Sequence, residues 1–216
     1  MNSEKQKMII SQEEWENKMD GIKIPREQMN RLVMNFLITQ GYLEASSCFE
    51  KESKTQIIND DHLKERDEIR TSILCGDIDR AIFLINSISS SILESYSKLM
   101  FELKLQKLVN YIRENKISEA LAYGQEVLAP AAQGNNELLK ELEKAMSLIA
   151  FNDIFQSPLA EICSPMHKLR LANEVNAGVL QYLQSESRAS TLTDICKILI
   201  LSQKKLQKTL VFPIKK

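Results

Sequence analysis

The sequence predicts an all-α protein of stacked antiparallel helix pairs, about nine helices in all, on three observations. Only 6 Gly and 5 Pro interrupt 216 residues, so helix breakers are scarce. Apolar residues recur at three- and four-residue intervals over most of the chain, the spacing that lines one helix face. No segment alternates apolar and polar with period two, so a sheet is not expected.

Residues 1–24 carry mixed charge and one aromatic, Trp15, and are expected to form a partly ordered tail. Pro25 suits a first helical turn, where its missing N–H would have had no partner. Met29, Leu32, Val33, Phe36 and Leu37 then form one apolar stripe, and Gly41 stops the helix in a left-handed turn. Tyr42, Ala45 and Phe49 continue the period on a second, short helix. Two short helices with wide apolar faces cannot bury them against each other alone. Leu32, Phe36, Leu37, Tyr42 and Phe49 are therefore candidate interface residues, with an internal core as the alternative.

Asp60 and Asp61 precede a helix through Leu63, Arg66, Ile69, Ile73 and Leu74, ended by Gly76. Asp77 can cap the next, with Ile78, Ala81, Ile82 and Ile85 inward. A polar break at Ser87–Ser91 leads to a helix from about Ile92 to Glu114, apolar over most of its circumference and so central. The stretch IRTSILCGDIDRAI (69–82) lies over LVNYIRENKISEAL (108–121) at an offset of 39 residues, matching Gly76 with Asn115. Gly and Asn adopt left-handed backbone angles most readily, so each copy reads helix, tight turn, helix. A break at Pro130–Asn136, a helix over Leu138–Phe155, and helices over Met166–Leu183 and Leu192–Lys208 complete the chain.

The composition excludes several function classes. Net charge is −1, with 28 basic and 29 acidic residues, so no global field favours nucleic acid or an anionic membrane. The basic run of Lys204, Lys205, Lys208, Lys215 and Lys216 reads as a solvated helix end and tail. Cys48, Cys75, Cys163 and Cys196 stand far apart and read as small apolar residues in a reducing setting. No apolar run approaches the roughly 20 residues that span a bilayer, and Met1–Asp20 does not read as a secretion signal. The expected location is cytoplasm and nucleus. No nucleophile elbow or glycine-rich phosphate loop is present, and His62 and His167 stand without catalytic partners. Neither an enzyme nor a cofactor or metal is expected.

The run MNRLVMNFLITQGYLEASSCFEKES (29–53) resembles a LisH motif through Leu32, Phe36, Leu37, Gly41, Tyr42, Ala45 and Phe49. The run LKERDEIRTSILCGDIDRAIFLIN (63–86) resembles a CTLH motif, and residues from about 116 resemble a CRA domain. IFLINS (82–87), LIAFNDIF (148–155) and NEVNAGV (173–179) reinforce the match to the LisH–CTLH–CRA family. The resemblance places LisH over 25–57, CTLH over 63–120, CRA over 116–210 and a C-terminal tail over 211–216. It implies a non-catalytic scaffold subunit of a GID/CTLH-type E3 ubiquitin ligase. The implied partners are other LisH–CTLH–CRA subunits, including a RanBPM-like protein, RING-type subunits and a second copy of the chain. It also implies that the last helices return beside LisH. The alternative is a dimeric LisH adaptor outside ubiquitin transfer, such as a cytoskeletal or transcriptional co-factor.

Overall fold

The structure, a computed structural model, describes residues 7–56, 62–151, 153–183, 191–211 and 213. In chain order it runs β1 (Met8–Ile9), α1 (Gln12–Asp20), α2 (Arg26–Thr39), α3 (Leu43–Ser53), α4 (Leu63–Cys75), α5 (Ile78–Ile88) and α6 (Ser91–Ser95). There follow α7 (Ser97–Arg113), α8 (Ile117–Tyr123), α9 (Ala129–Ala132), α10 (Asn136–Ser147), α11 (Pro165–Leu183), α12 (Thr191–Leu206) and β2 (Leu210–Val211). The all-α class is correct, and the count approaches the expected nine once the short α6 and α9 are set aside. The chain divides into two compact units, one from 1–39, 44–59 and 188–216, the other from 40–43 and 60–187. Asp60 and Asp61 lie outside the described residues.

The first unit holds α2, most of α3, and α12, which packs on α2. The Thr191 N–H donates to Asn35 Oδ1 at 3.1 Å, tying the start of α12 to α2. The expected N-terminal tail contains α1, which buries no residue and so shows no apolar period. Local chemistry forms it: Ser11 accepts from the Glu14 N–H at 3.2 Å, with Glu13 and Glu14 in the first turn. Met8–Ile9 also pairs in parallel with Leu210–Val211, a strand pair too short for any period to betray. Among the described residues of this unit only Met34, Ile38 and Ser46 are buried. On α3 the inward position is Ser46 rather than Ala45, which is exposed.

The second unit has two cores joined by α7. One gathers Ile69 and Ile73 of α4, Ile78, Ala81 and Ile85 of α5, Leu103 of α7, and Leu171, Val175 and Val179 of α11. The other packs Leu105, Leu108, Val109 and Ile112 of α7 with Ala120, Leu128, Leu142, Ala145, Leu148 and Cys163. The expected helix over Ile92–Glu114 breaks at Tyr96 (φ −116°, ψ 63°), so α6 and α7 are separate. The expected break at Ser87–Ser91 is narrower, because α5 runs through Ser87 to Ile88. The helix expected to reach Phe155 ends at Ser147, giving a 3₁₀ turn over Leu148–Ala150 and extended backbone at Phe151. Pro130 sits inside α9, entered from a π-helical turn over Gly124–Leu128, so that break falls later, around Gln133–Asn135.

The internal repeat has a structural counterpart. Gly76 and Asn115 adopt φ of 91° and 59°. After Gly76 the Asp77 N–H reaches Ser72 O at 2.9 Å, and after Asn115 the Lys116 N–H reaches Tyr111 O at 2.9 Å. These are the same six-residue closing bonds of a left-handed helix end, displaced by the offset of the repeat. Ile73 and Ala81 are buried, and so are their counterparts Ile112 and Ala120.

Candidate interaction surfaces

Residues 40–43, between α2 and α3 in sequence, belong to the second unit, where four polar side chains receive them. Gly41 has φ 74°, and a Cβ there would stand 3.0 Å from Asn176 Oδ1 and 3.4 Å from Arg66 Nη1. Arg66, 1% exposed, donates from Nη1 to Asn176 Oδ1 at 2.7 Å. One turn along α4, Arg70 donates to Asn173 Oδ1 at 2.8 Å and to the Tyr42 hydroxyl at 3.0 Å. Its guanidinium also lies 4.4 Å from the Tyr42 ring centroid, a cation–π contact. Buried charge is tolerable only with such partners.

Tyr42, expected on the partner-facing seam, thus has its ring covered by Arg70 inside its own unit. Leu32, Phe36, Leu37 and Phe49 are half-buried in the first unit. Arg66, Arg70, Asn173 and Asn176 were not singled out from sequence as polar contacts. The available signal was spacing: i, i+4 on α4 and i, i+3 on α11 put each pair on one face. Charged residues at that spacing ordinarily mark a solvated face, and this one is buried.

A cavity of about 450 Å³ in the second unit is lined by Glu102, Glu141, Glu161, Glu174, Lys144, His167 and Arg170. Glu102 is pushed from its ordinary 4.5 up to about 7 by burial, then by the charge of and hydrogen bond with Glu174, partly opposed by Lys98. Burial, with Arg170 beside it, lowers His167, whose Nδ1 lies 3.1 Å from Gln106 Oε1. Among the described residues no group of three or more His, Cys, Asp and Glu could hold a metal ion. No helix of the described residues is long and apolar enough to cross a membrane.

The raised Glu102 pKa fixes a sign. The folded chain holds a proton that the unfolded chain has lost between pH 4.5 and about 7. This stabilisation is full below pH 4.5, falls as pH rises, and is gone above about 7. It amounts to about 3 kcal/mol, at roughly 1.36 kcal/mol for each pH unit between the two values. Glu102→Gln should flatten urea stability over pH 5–7 and exceed the parent at pH 7.5. An unchanged slope refutes the assignment.

The first unit presents an apolar surface. Ile198, Leu199, Ile200 and Leu201 of α12 are 61%, 62%, 52% and 61% exposed, and Met19, Ile22, Ile24 and Met29 are exposed as well. Four consecutive large aliphatic side chains in water are unusual for a folded surface.

A family model described as "CTLH/CRA C-terminal to LisH motif domain" matches residues 62–207. The chain belongs to the CTLH/CRA family. It is similar to the Glucose-induced degradation protein 8 homolog of Dictyostelium discoideum, 37% identical over 213 residues, 98% of this chain and 93% of that protein. It is similar also to the Protein GID8 homolog of Arabidopsis thaliana, 38% identical over 96% of this chain and 85% of that protein. The GID complex subunit 8 of Schizosaccharomyces pombe is 33% identical over 84% of this chain and 81% of its own length. The matched CTLH/CRA stretch includes α4 and α11, which supply both halves of the arginine–asparagine set around Gly41.

Proposed function

We propose that this chain is a non-catalytic scaffold subunit of a GID/CTLH-type E3 ubiquitin ligase, working in cytoplasm and nucleus. Its first unit joins another subunit through the half-buried Leu32, Phe36, Leu37 and Phe49 and the exposed face of α12. The observation that carries this reading is the imbalance of the first unit, with three buried residues among those described against the exposed run Ile198–Leu201. A helical unit so poor in core gains its stability by burying that surface elsewhere. The names of the relatives, which include a GID complex subunit, supply the assembly. RING-type subunits would then carry out ubiquitin transfer, and this chain would hold them and a RanBPM-like subunit in place.

Ile198→Ser with Leu201→Ser, i and i+3 on exposed turns, should leave helix content intact and lower the light-scattering mass to the 24.7 kDa of one chain. Phe36→Asp with Leu37→Asp should do the same, since two carboxylates placed in an apolar seam cost several kcal/mol (about 4 or more). A parent mass of one chain, or an unchanged variant mass, removes the homotypic seam. A tagged chain should also bring down RING-bearing subunits at native concentration. Their absence favours the adaptor reading outside ubiquitin transfer.

A further inference from the structure

The ends of α4 and α7 flank a cleft of about 300 Å³ lined by Cys75, Gly76, Asn110, Arg113, Glu114, Phe155 and Lys168. We propose that this cleft seats a carboxylate of an acidic, aromatic-bearing peptide segment of a partner protein, held between Arg113 and Lys168. The partner's identity rests on the assembly reading above; the site itself rests on four observations within the second unit.

First, neither cation is ion-paired among the described residues: Glu114, the carboxylate that lines the cleft and acts on both through its charge, is itself held by Lys116. Other cations nearby are paired, Lys116 with Glu114 at 2.6 Å, Arg170 with Glu161 at 2.9 Å and Lys107 with Asp79 at 2.6 Å. Burial first, and then the charge of Arg113, press the Lys168 ammonium below its usual range, as expected of like charges held together. An anion between them relieves that repulsion.

Second, the helix ends do not use these cations. Cations near a helix C-terminus ordinarily serve its free carbonyls. Here Ser72 O and Ile73 O already accept from Gly76 and Asp77 N–H groups, and Tyr111 O and Ile112 O from Lys116 and Asn115. Third, the turn keeps the cleft open. A Cβ at Gly76 would stand 3.1 Å from Lys168 Nζ and 3.2 Å from Asn110 Nδ2, so any side chain there would crowd the ammonium. Fourth, Phe155 lines the same cleft while 62% exposed, fixed by a turn in which its N–H donates to Asp153 Oδ1 at 2.9 Å. A free inorganic anion would use the cations and ignore the ring. A peptide carrying carboxylate beside an aromatic residue uses both.

The test titrates the full ¹⁵N-labelled chain with three probes: an acetylated and amidated peptide of alternating Asp and Phe, its Asn–Phe counterpart, and inorganic phosphate. The Asp–Phe peptide should shift the Gly76 amide saturably and more weakly as salt rises. Arg113→Gln with Lys168→Gln should weaken it at least about tenfold, and Phe155→Ala severalfold. The Asn–Phe peptide should leave Gly76 in place. No saturable shift at Gly76, or a shift that phosphate matches and Phe155→Ala does not alter, overturns the proposal, the latter leaving an inorganic-anion site only. Light-scattering mass on the same samples reports the first-unit seam separately. Loss of peptide binding at parental mass belongs to the cleft, and loss of mass with binding intact belongs to the seam.

Discussion

Asn176→Leu is expected to destabilise the protein by about 3 kcal/mol, and Arg66→Met by only about 1. The order runs against the usual weight given to a charged residue. Asn176 Oδ1 accepts from Arg66 Nη1 at 2.7 Å where Arg66 is 1% exposed. Removing the acceptor leaves a buried guanidinium with one bond fewer, and the desolvation of a charge is then less well compensated. Methionine removes the charge together with its demand for acceptors while filling much of the same volume. Urea midpoints with unchanged slopes would measure both variants. The reverse order would mean that the aliphatic stem of Arg66, and not its hydrogen bond, holds the site.

Leu103→Ala and Leu108→Ala should each cost about 3–4 kcal/mol, with the double variant close to their sum. Both side chains are 0% exposed, yet Leu103 belongs to the core shared with α4, α5 and α11, and Leu108 to the core shared with α8 and α10. Each deletion opens its own void in a packed cluster. The two clusters have no residue in common, so the penalties add. A double variant far milder than the sum would mean that the clusters relax as one. Phe83→Ala, by contrast, should change stability by less than about 0.5 kcal/mol, since that ring is exposed.

The helical turns were the most legible part of this molecule. Gly41, Gly76 and Asn115 stand out because left-handed backbone suits few residue types, and all three adopt positive φ. The central helix was legible as well, since apolar residues around most of its circumference can be satisfied only by packing on several sides. Its N-terminal boundary was not: Tyr96 breaks the helix without Gly or Pro, through a backbone angle that no local residue preference demands. The end of α10 differs for a related reason: the apolar spacing from Leu138 to Phe155 is compatible with helix, and no Gly or Pro marks the turn at Leu148–Ala150.

Of the candidate interface, the stripe of Leu32, Phe36, Leu37 and Phe49 could be read from spacing alone, whereas the role of Tyr42 could not. Tyr42 fits the same stripe, but its environment depends on Arg70, 28 residues away, and through Arg70 on Asn173. Likewise the sequence predicts a helix over Leu192–Lys208 without marking Ile198–Leu201 as a run left exposed.

The sequence by itself determined the helical class, the turns at Gly41, Gly76 and Asn115, and the 39-residue echo between two helix pairs. These follow from local backbone preference and from apolar period, which act over a few residues. Only the tertiary structure decided which polar side chains are buried, which apolar ones remain in water, and which cations are ion-paired. Those outcomes depend on residues distant in the chain: Asn176 meets Arg66 across 110 positions, and Arg113 and Lys168 line one cleft beside a glycine on a third helix end.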